Sequence, residues 1–143
     1  MFPEAKTLNM LMSFLAYKEA QMKEAYDALL VDNDRQIREG TRTNLFFTDG
    51  TIVYTPSKKV LEGVTRTTVI DALAKKGIVV QEKEIALSAI SDYKGFFLTS
   101  TSSKVLPVTR IDEMKFEVPQ IVRDVMKVYD EYLKGYEGRQ RRI

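Results

Sequence analysis

The sequence predicts an α/β domain in which strands outnumber helices. Two long stretches of helical periodicity stand near its ends, around residues 8–24 and after residue 118. Between them lie short apolar runs separated by turn residues, with a hairpin signal at Asp49-Gly50 and one helix-length segment at 65–76. The chain has 143 residues, 44% of them hydrophobic, which suits one domain with a sizeable core.

In chain order, Leu8, Leu11, Met12, Leu15, Ala16 and Met22 form an apolar stripe, with Lys18, Glu19, Lys23 and Glu24 opposite and Thr7 placed as N-cap. Residues 27–31 read as a strand, Asp32-Asn33-Asp34 as a turn, and a second strand leads to Glu39. Thr43–Thr48 and Thr51–Tyr54 flank the hairpin turn. Residues 56–62 form a loop closed by Gly63, and a helix follows over 65–76 with Val69, Ile70, Leu73 and Ala74 inward. Gly77 then stands where helices commonly end. Strands are expected at 78–83, 95–99 and 105–110, with one helical turn at 87–92 between them. The last helix carries Val118, Ile121, Val122, Val125, Tyr129, Tyr132 and Tyr136 close to one stripe.

Composition narrows the chemistry. There is no cysteine and no histidine, which removes disulfides, thiolate nucleophiles, Ser-His-Asp triads and the common zinc sites. Acid–base work must run on Lys, Tyr, Asp or Glu. A net charge of +2 with 29% charged residues gives no push toward nucleic acid or membrane. Residues 1–7 lack the apolar run of a signal peptide or a membrane span, so a cytoplasmic protein is expected.

Two segments look able to hold an anion. Gly63-Val64-Thr65-Arg66 precedes a helix, where backbone N–H groups and the helix dipole favour a phosphate. Thr99-Ser100-Thr101-Ser102-Ser103 follows an apolar strand, placing hydroxyls and amides at a strand's C-terminal end, the usual ligand position in open α/β sheets. A lysine, Lys6, precedes the first helix, and a carboxylate, Glu39, ends a strand before Gly40. Each feature alone is more often a turn, a cap or a surface residue.

Taken in order, the runs Lys6-Thr7-Leu8-Asn9, Tyr26–Asp32 and Glu39-Gly40-Thr41-Arg42-Thr43-Asn44-Leu45-Phe46 closely resemble the centre of class IV aminotransferases. Tyr54-Thr55-Pro56, Gly63–Arg66, Phe97–Ser102 and Leu106-Pro107-Val108 continue the resemblance collinearly over about residues 3–112. These are fold-type IV pyridoxal-phosphate enzymes, including D-amino-acid and branched-chain aminotransferases and aminodeoxychorismate lyase. The resemblance implies the C-terminal, cofactor-binding domain of that fold, a mixed-strand pseudo-barrel flanked by helices, with the family's N-terminal domain absent. It implies that Lys6 holds pyridoxal phosphate as a Schiff base and moves the substrate proton, and that Glu39 pairs with the pyridine nitrogen. Val64 and Thr65 would hold the phosphate with Thr101; Ser100 and Ser102 would lie beside the cofactor and the substrate carboxylate.

The activity so implied is amino-group transfer between an amino acid and a 2-oxo acid, in a homodimer. Two alternatives stand beside it. One is an aminodeoxychorismate-type lyase on the same cofactor. The other is a non-catalytic truncated domain that needs a partner chain, possessing a large exposed apolar face. Leu11 stands where branched-chain enzymes commonly have a tyrosine, which leans toward the D-amino-acid or lyase branches. Arg42, three residues after Glu39, could meet a substrate carboxylate or a structural partner and is not assigned.

Overall fold

The computed structural model describes the backbone of residues 3–141 and the side chains of residues 10–136. Helix α1 (Pro3–Met22) is followed by strands β1 (Leu29–Val31), β2 (Gln36–Gly40), β3 (Asn44–Thr48) and β4 (Val53–Thr55). Helix α2 (Val64–Lys75) leads to β5 (Val80–Glu82), β6 (Ile85–Ala86) and a 3-10 helix (Leu87–Asp92). Strands β7 (Gly95–Ser100), β8 (Lys104–Val108), β9 (Arg110–Ile111) and β10 (Met114–Lys115) precede the long helix α3 (Gln120–Arg141).

Five strands form the central sheet in the order β5-β4-β3-β7-β8, antiparallel except for the parallel β4–β5 pair. A parallel pair needs a crossover, and the loop at 56–62 with α2 supplies it. A second sheet, β1-β2-β6, and the β9–β10 ribbon complete the strands. The mixed architecture agrees with the expected class, but the sheets close no barrel among the described residues.

All of β3 is buried, without the alternation of a half-exposed strand, because the central sheet is covered on both faces. On one face Phe46, Val53, Phe97 and Val105 pack with Val69 and Leu73 of α2 and Val122, Val125 and Tyr129 of α3. Phe46 and Phe97, opposite each other in register, stack with centroids 4.7 Å apart. On the other face Leu45, Phe47, Tyr54, Phe96 and Leu98 meet Ile37, Ile85 and Ile90. Burying each phenylalanine stabilises the fold by roughly 1.5–3 kcal/mol. Two buried hydroxyls are satisfied by backbone carbonyls: Thr48 donates to that of Ile52 and Thr55 to that of Leu45, both at 2.7 Å.

Several details differ from the sequence reading. Helix α1 begins at Pro3, so Lys6 and Thr7 fall within it rather than before it. The half-buried or buried face of α1 is Ser13, Ala16, Tyr17 and Ala20, while Leu11, Met12, Leu15 and Met22 are exposed. In α2, Ala72 is buried and Ala74 exposed. The expected 105–110 strand divides into β8 and β9, and β6 and β10 are additional.

Candidate active site

Because β3 and β7 run antiparallel, the start of β3 lies beside the end of β7, with Asn44 opposite Thr99. Strand β2 ends just before β3 begins, and its last residues, Glu39 and Gly40, join the same edge. The N-terminus of α2 faces this corner. Together these ends enclose an open cleft lined by Glu39, Asn44, Val64, Thr65, Ser100 and Thr101, among others, with Ser13 contributed by α1.

The loop at 56–62 is fastened beside the cleft through the backbone of one residue, Leu61. The Leu61 N–H donates to the Glu39 carboxylate, at 3.1 Å to Oε1 and 3.4 Å to Oε2. The Leu61 carbonyl accepts from Asn44 Nδ2 at 2.6 Å. Two residues on, a Cβ at Gly63 would stand 2.7 Å from Asn44 Oδ1, so the close approach requires glycine. Gly63 is also the N-cap of α2, extended at φ −62° and ψ 151°, and no side chain caps the helix there. No acidic residue occupies its first turn. The N–H groups at that end therefore point toward the cleft without a competing carboxylate, an arrangement suited to an anion.

Burial raises the Glu39 carboxyl above the ordinary glutamate range; the Leu61 N–H and the positive charge of Arg66 partly offset this. Glu39 forms no ion pair with a described residue. Thr99, 1% exposed, lines the cleft with a hydroxyl that has no hydrogen-bond partner. A carboxylate without a cation, an uncapped helix end and an unpaired hydroxyl thus converge. Such a set fits a molecule with a phosphate at one end and a ring N–H at the other, and pyridoxal phosphate has that chemistry.

The cleft unites five of the residues singled out in the sequence: Glu39, Val64, Thr65, Ser100 and Thr101. Ser100 is partly committed to its own turn, since its hydroxyl accepts from the Ser103 N–H at 3.0 Å. Ser102 is exposed, does not line the cleft, and has its hydroxyl 3.4 Å from that of Ser100. The Lys6 side chain lies outside the described residues. Sequence reasoning gave no role to Asn44 or Leu61, which depend on strand register and loop path, and named Thr99 only as the start of the 99–103 segment. It also missed Asp27. That carboxylate accepts from the backbone of Ala28, Thr41 and Arg42 and from the hydroxyls of Thr41 and Thr43, holding the wall after Glu39.

Comparison with known proteins gives the same family as the resemblance. The family model for class IV amino-transferases matches residues 1–111. A probable branched-chain-amino-acid aminotransferase of Rickettsia conorii is 35% identical over 126 residues, covering 87% of this chain and 42% of that protein. The crystal structure of branched-chain aminotransferase from the archaeon Thermoproteus uzoniensis with norvaline superposes with a TM-score of 0.82 at 26% identity. It covers 88% of this chain and 43% of its own. An aminotransferase from Brucella abortus bound to the cofactor pyridoxal phosphate has a TM-score of 0.75 and 28% identity, covering 84% of this chain and 44% of that one. The chain thus spans less than half the length of these relatives. With a family model matched over most of its length, and the fold and cleft described above, the chain belongs to the class IV amino-transferase family.

Proposed function

We propose that this chain is the cofactor-binding part of a pyridoxal-phosphate-dependent aminotransferase that moves an amino group between an amino acid and a 2-oxo acid. The observation that carries this reading is the meeting of Glu39, the uncapped N-terminus of α2 and the Ser100-Thr101 segment in one cleft. When bound, the cofactor supplies an electron sink for the substrate's α-carbon. The backbone N–H groups of Val64 and Thr65 would bind its phosphate, with the Thr101 hydroxyl beside them. Glu39 would accept the ring N–H and, as an anion, keep that nitrogen protonated. The amine of Lys6 would hold the cofactor covalently and carry the proton to and from the α-carbon. Such an amine must be neutral part of the time, which desolvation and nearby positive charge favour. Ser102, outside the cleft lining but with its hydroxyl beside that of Ser100, would meet the substrate carboxylate. The resemblance to the family also carries a homodimer and a cytoplasmic setting into the proposal.

Titration of Glu39 gives a direct test. Its carboxyl is shifted upward, so the cofactor-free fold favours its protonated form. That contribution to stability is fully present below the unfolded pKa and is lost as pH rises through the folded one. The ionised form is the one that would hold a protonated ring nitrogen. Pyridoxal phosphate affinity is therefore expected to rise with pH through the Glu39 titration, above the ordinary glutamate range, and then level off. Glu39→Gln should bind roughly tenfold or more weakly at neutral pH and lack that rise, since one charge-assisted hydrogen bond is lost. Spectroscopic titration of both proteins across the range measures this; identical profiles would remove Glu39 from the site.

A second reading, that turnover requires a partner chain or segment, is favoured by α1. Met10, Leu11, Met12, Phe14, Leu15 and Met22 are each at least half exposed, an apolar surface suited to being covered.

A further inference from the structure

Substrates of the proposed transfer all carry carboxylates, and a cation free at the cleft is suited to meet one. Among the described residues lining it, Arg42 is the one basic side chain and Glu39 the one acidic. The Arg42 guanidinium lies 4.4 Å from the centroid of the Tyr17 ring and 4.9 Å from that of Tyr26. Its Nη2 donates to the Tyr26 carbonyl at 2.8 Å. It forms no ion pair with a described residue. Asp27, which accepts the Arg42 backbone N–H, is occupied by donors from Ala28, Thr41 and Thr43 rather than by the guanidinium.

Stacking engages the faces of a guanidinium and leaves its edge N–H groups available. That edge is a planar fork matching the two oxygens of a carboxylate. The rings also hold the side chain in one orientation before any ligand arrives, which lowers the entropy cost of binding. The residue is therefore charged, exposed and oriented at the wall of the cleft, with one hydrogen bond given to the Tyr26 carbonyl and no ion pair with a described residue.

Resting on the proposed function, we propose that Arg42 is a substrate-binding residue that receives a carboxylate of the amino acid or 2-oxo acid, presented by the Tyr17 and Tyr26 rings. That carboxylate is either the one beside the reacting carbon or the distal one of a dicarboxylate. The experiment first measures pyridoxal phosphate affinity, then titrates the loaded chain calorimetrically with 2-oxoglutarate and with 4-methyl-2-oxopentanoate. Wild type, Arg42→Met and Arg42→Lys are compared.

Arg42→Met is expected to bind 2-oxoglutarate roughly tenfold or more weakly, at unchanged cofactor affinity, and Arg42→Lys to fall between. Equal loss for both acids supports contact with the carboxylate beside the reacting carbon; loss confined to 2-oxoglutarate supports the distal one. Unchanged affinity for both acids in Arg42→Met would overturn the proposal. So would a loss of thermal stability and cofactor affinity together with acid binding, since the stack would then be only a structural clamp. Failure of the unsubstituted chain to take up pyridoxal phosphate would strike the proposed function itself, and the first measurement separates that case.

Discussion

Asp27→Ala is expected to destabilise the fold by about 2–4 kcal/mol, as a carboxylate serving several donors is removed at once. Asp27 Oδ1 accepts from the N–H of Ala28 at 2.8 Å, the N–H of Thr41 at 3.2 Å and the Thr41 hydroxyl. Asp27 Oδ2 accepts from the N–H of Arg42 at 3.3 Å and the Thr43 hydroxyl at 2.9 Å. These bonds act on one turn, so their loss is not a sum of independent terms. The turn is also closely built. A Cβ at Gly40 would stand 2.1 Å from the Thr43 hydroxyl oxygen and 2.5 Å from Asp27 Oδ2, so this placement of the two side chains needs glycine there. Asp27→Asn keeps the Oδ1 acceptor and should lose less, because the Thr43 hydroxyl can reverse and accept from the new amide. Urea denaturation of the three proteins measures the order. An Asp27→Ala midpoint equal to wild type would mean the turn holds itself.

Arg38→Met is expected to lower the thermal midpoint by roughly 6–12 °C, the consequence of leaving two carboxylates without their shared buried cation. The Arg38 side chain is 10% exposed and bridges Asp32, at 2.6 Å from Nη2, and Glu84. Its Nη1 also donates to the Lys58 carbonyl at 3.2 Å, tying β2 to the loop whose Leu61 N–H meets Glu39. The loss should shrink in acid. Asp32 is held below the ordinary carboxylate range chiefly by the Gln36 N–H, with Arg38 adding to this against the opposing effect of burial. A depressed carboxyl stabilises the fold above its unfolded pKa and loses that contribution as pH falls through the folded one. The gap between Arg38→Met and wild type should therefore narrow as pH falls through the folded pKa of Asp32. Thermal melts at several pH values check both statements; a gap that is constant or widens would contradict the ion-pair account.

How far the sequence could be read depended on whether a feature was local. The Asp49-Gly50 turn is local: Asp49 Oδ1 accepts from Thr51 and Ile52, both at 2.9 Å, and the hairpin lies where its residues place it. The end of α2 is also local, with Gly77 just beyond it at φ +80°. Glu39, Val64, Thr65, Ser100 and Thr101 were named through the family resemblance; the residue pattern alone placed them only at the ends of elements, and the fold brings those ends to one cleft. Asn44 was not, and Thr99 was seen only as part of its segment, since their pairing exists only once β3 and β7 are in register. Asp27 and Arg38 resemble ordinary turn and strand charges until the loops fold onto them. The stripe of α1 misled for a different reason. Hydrophobic periodicity marks the apolar face of a helix, but not whether the described part of the chain covers it. Strands of two residues, such as β6 and β10, carry too little pattern to be seen.

The central claim is that this cleft serves a cofactor carried by Lys6. The most direct measurement is to mix the purified chain with pyridoxal phosphate, reduce with borohydride and map the modified lysine by mass spectrometry, with Lys6→Ala beside it. One dominant adduct is expected, on Lys6, absent from the variant. Label spread over surface lysines and unchanged in Lys6→Ala would contradict it.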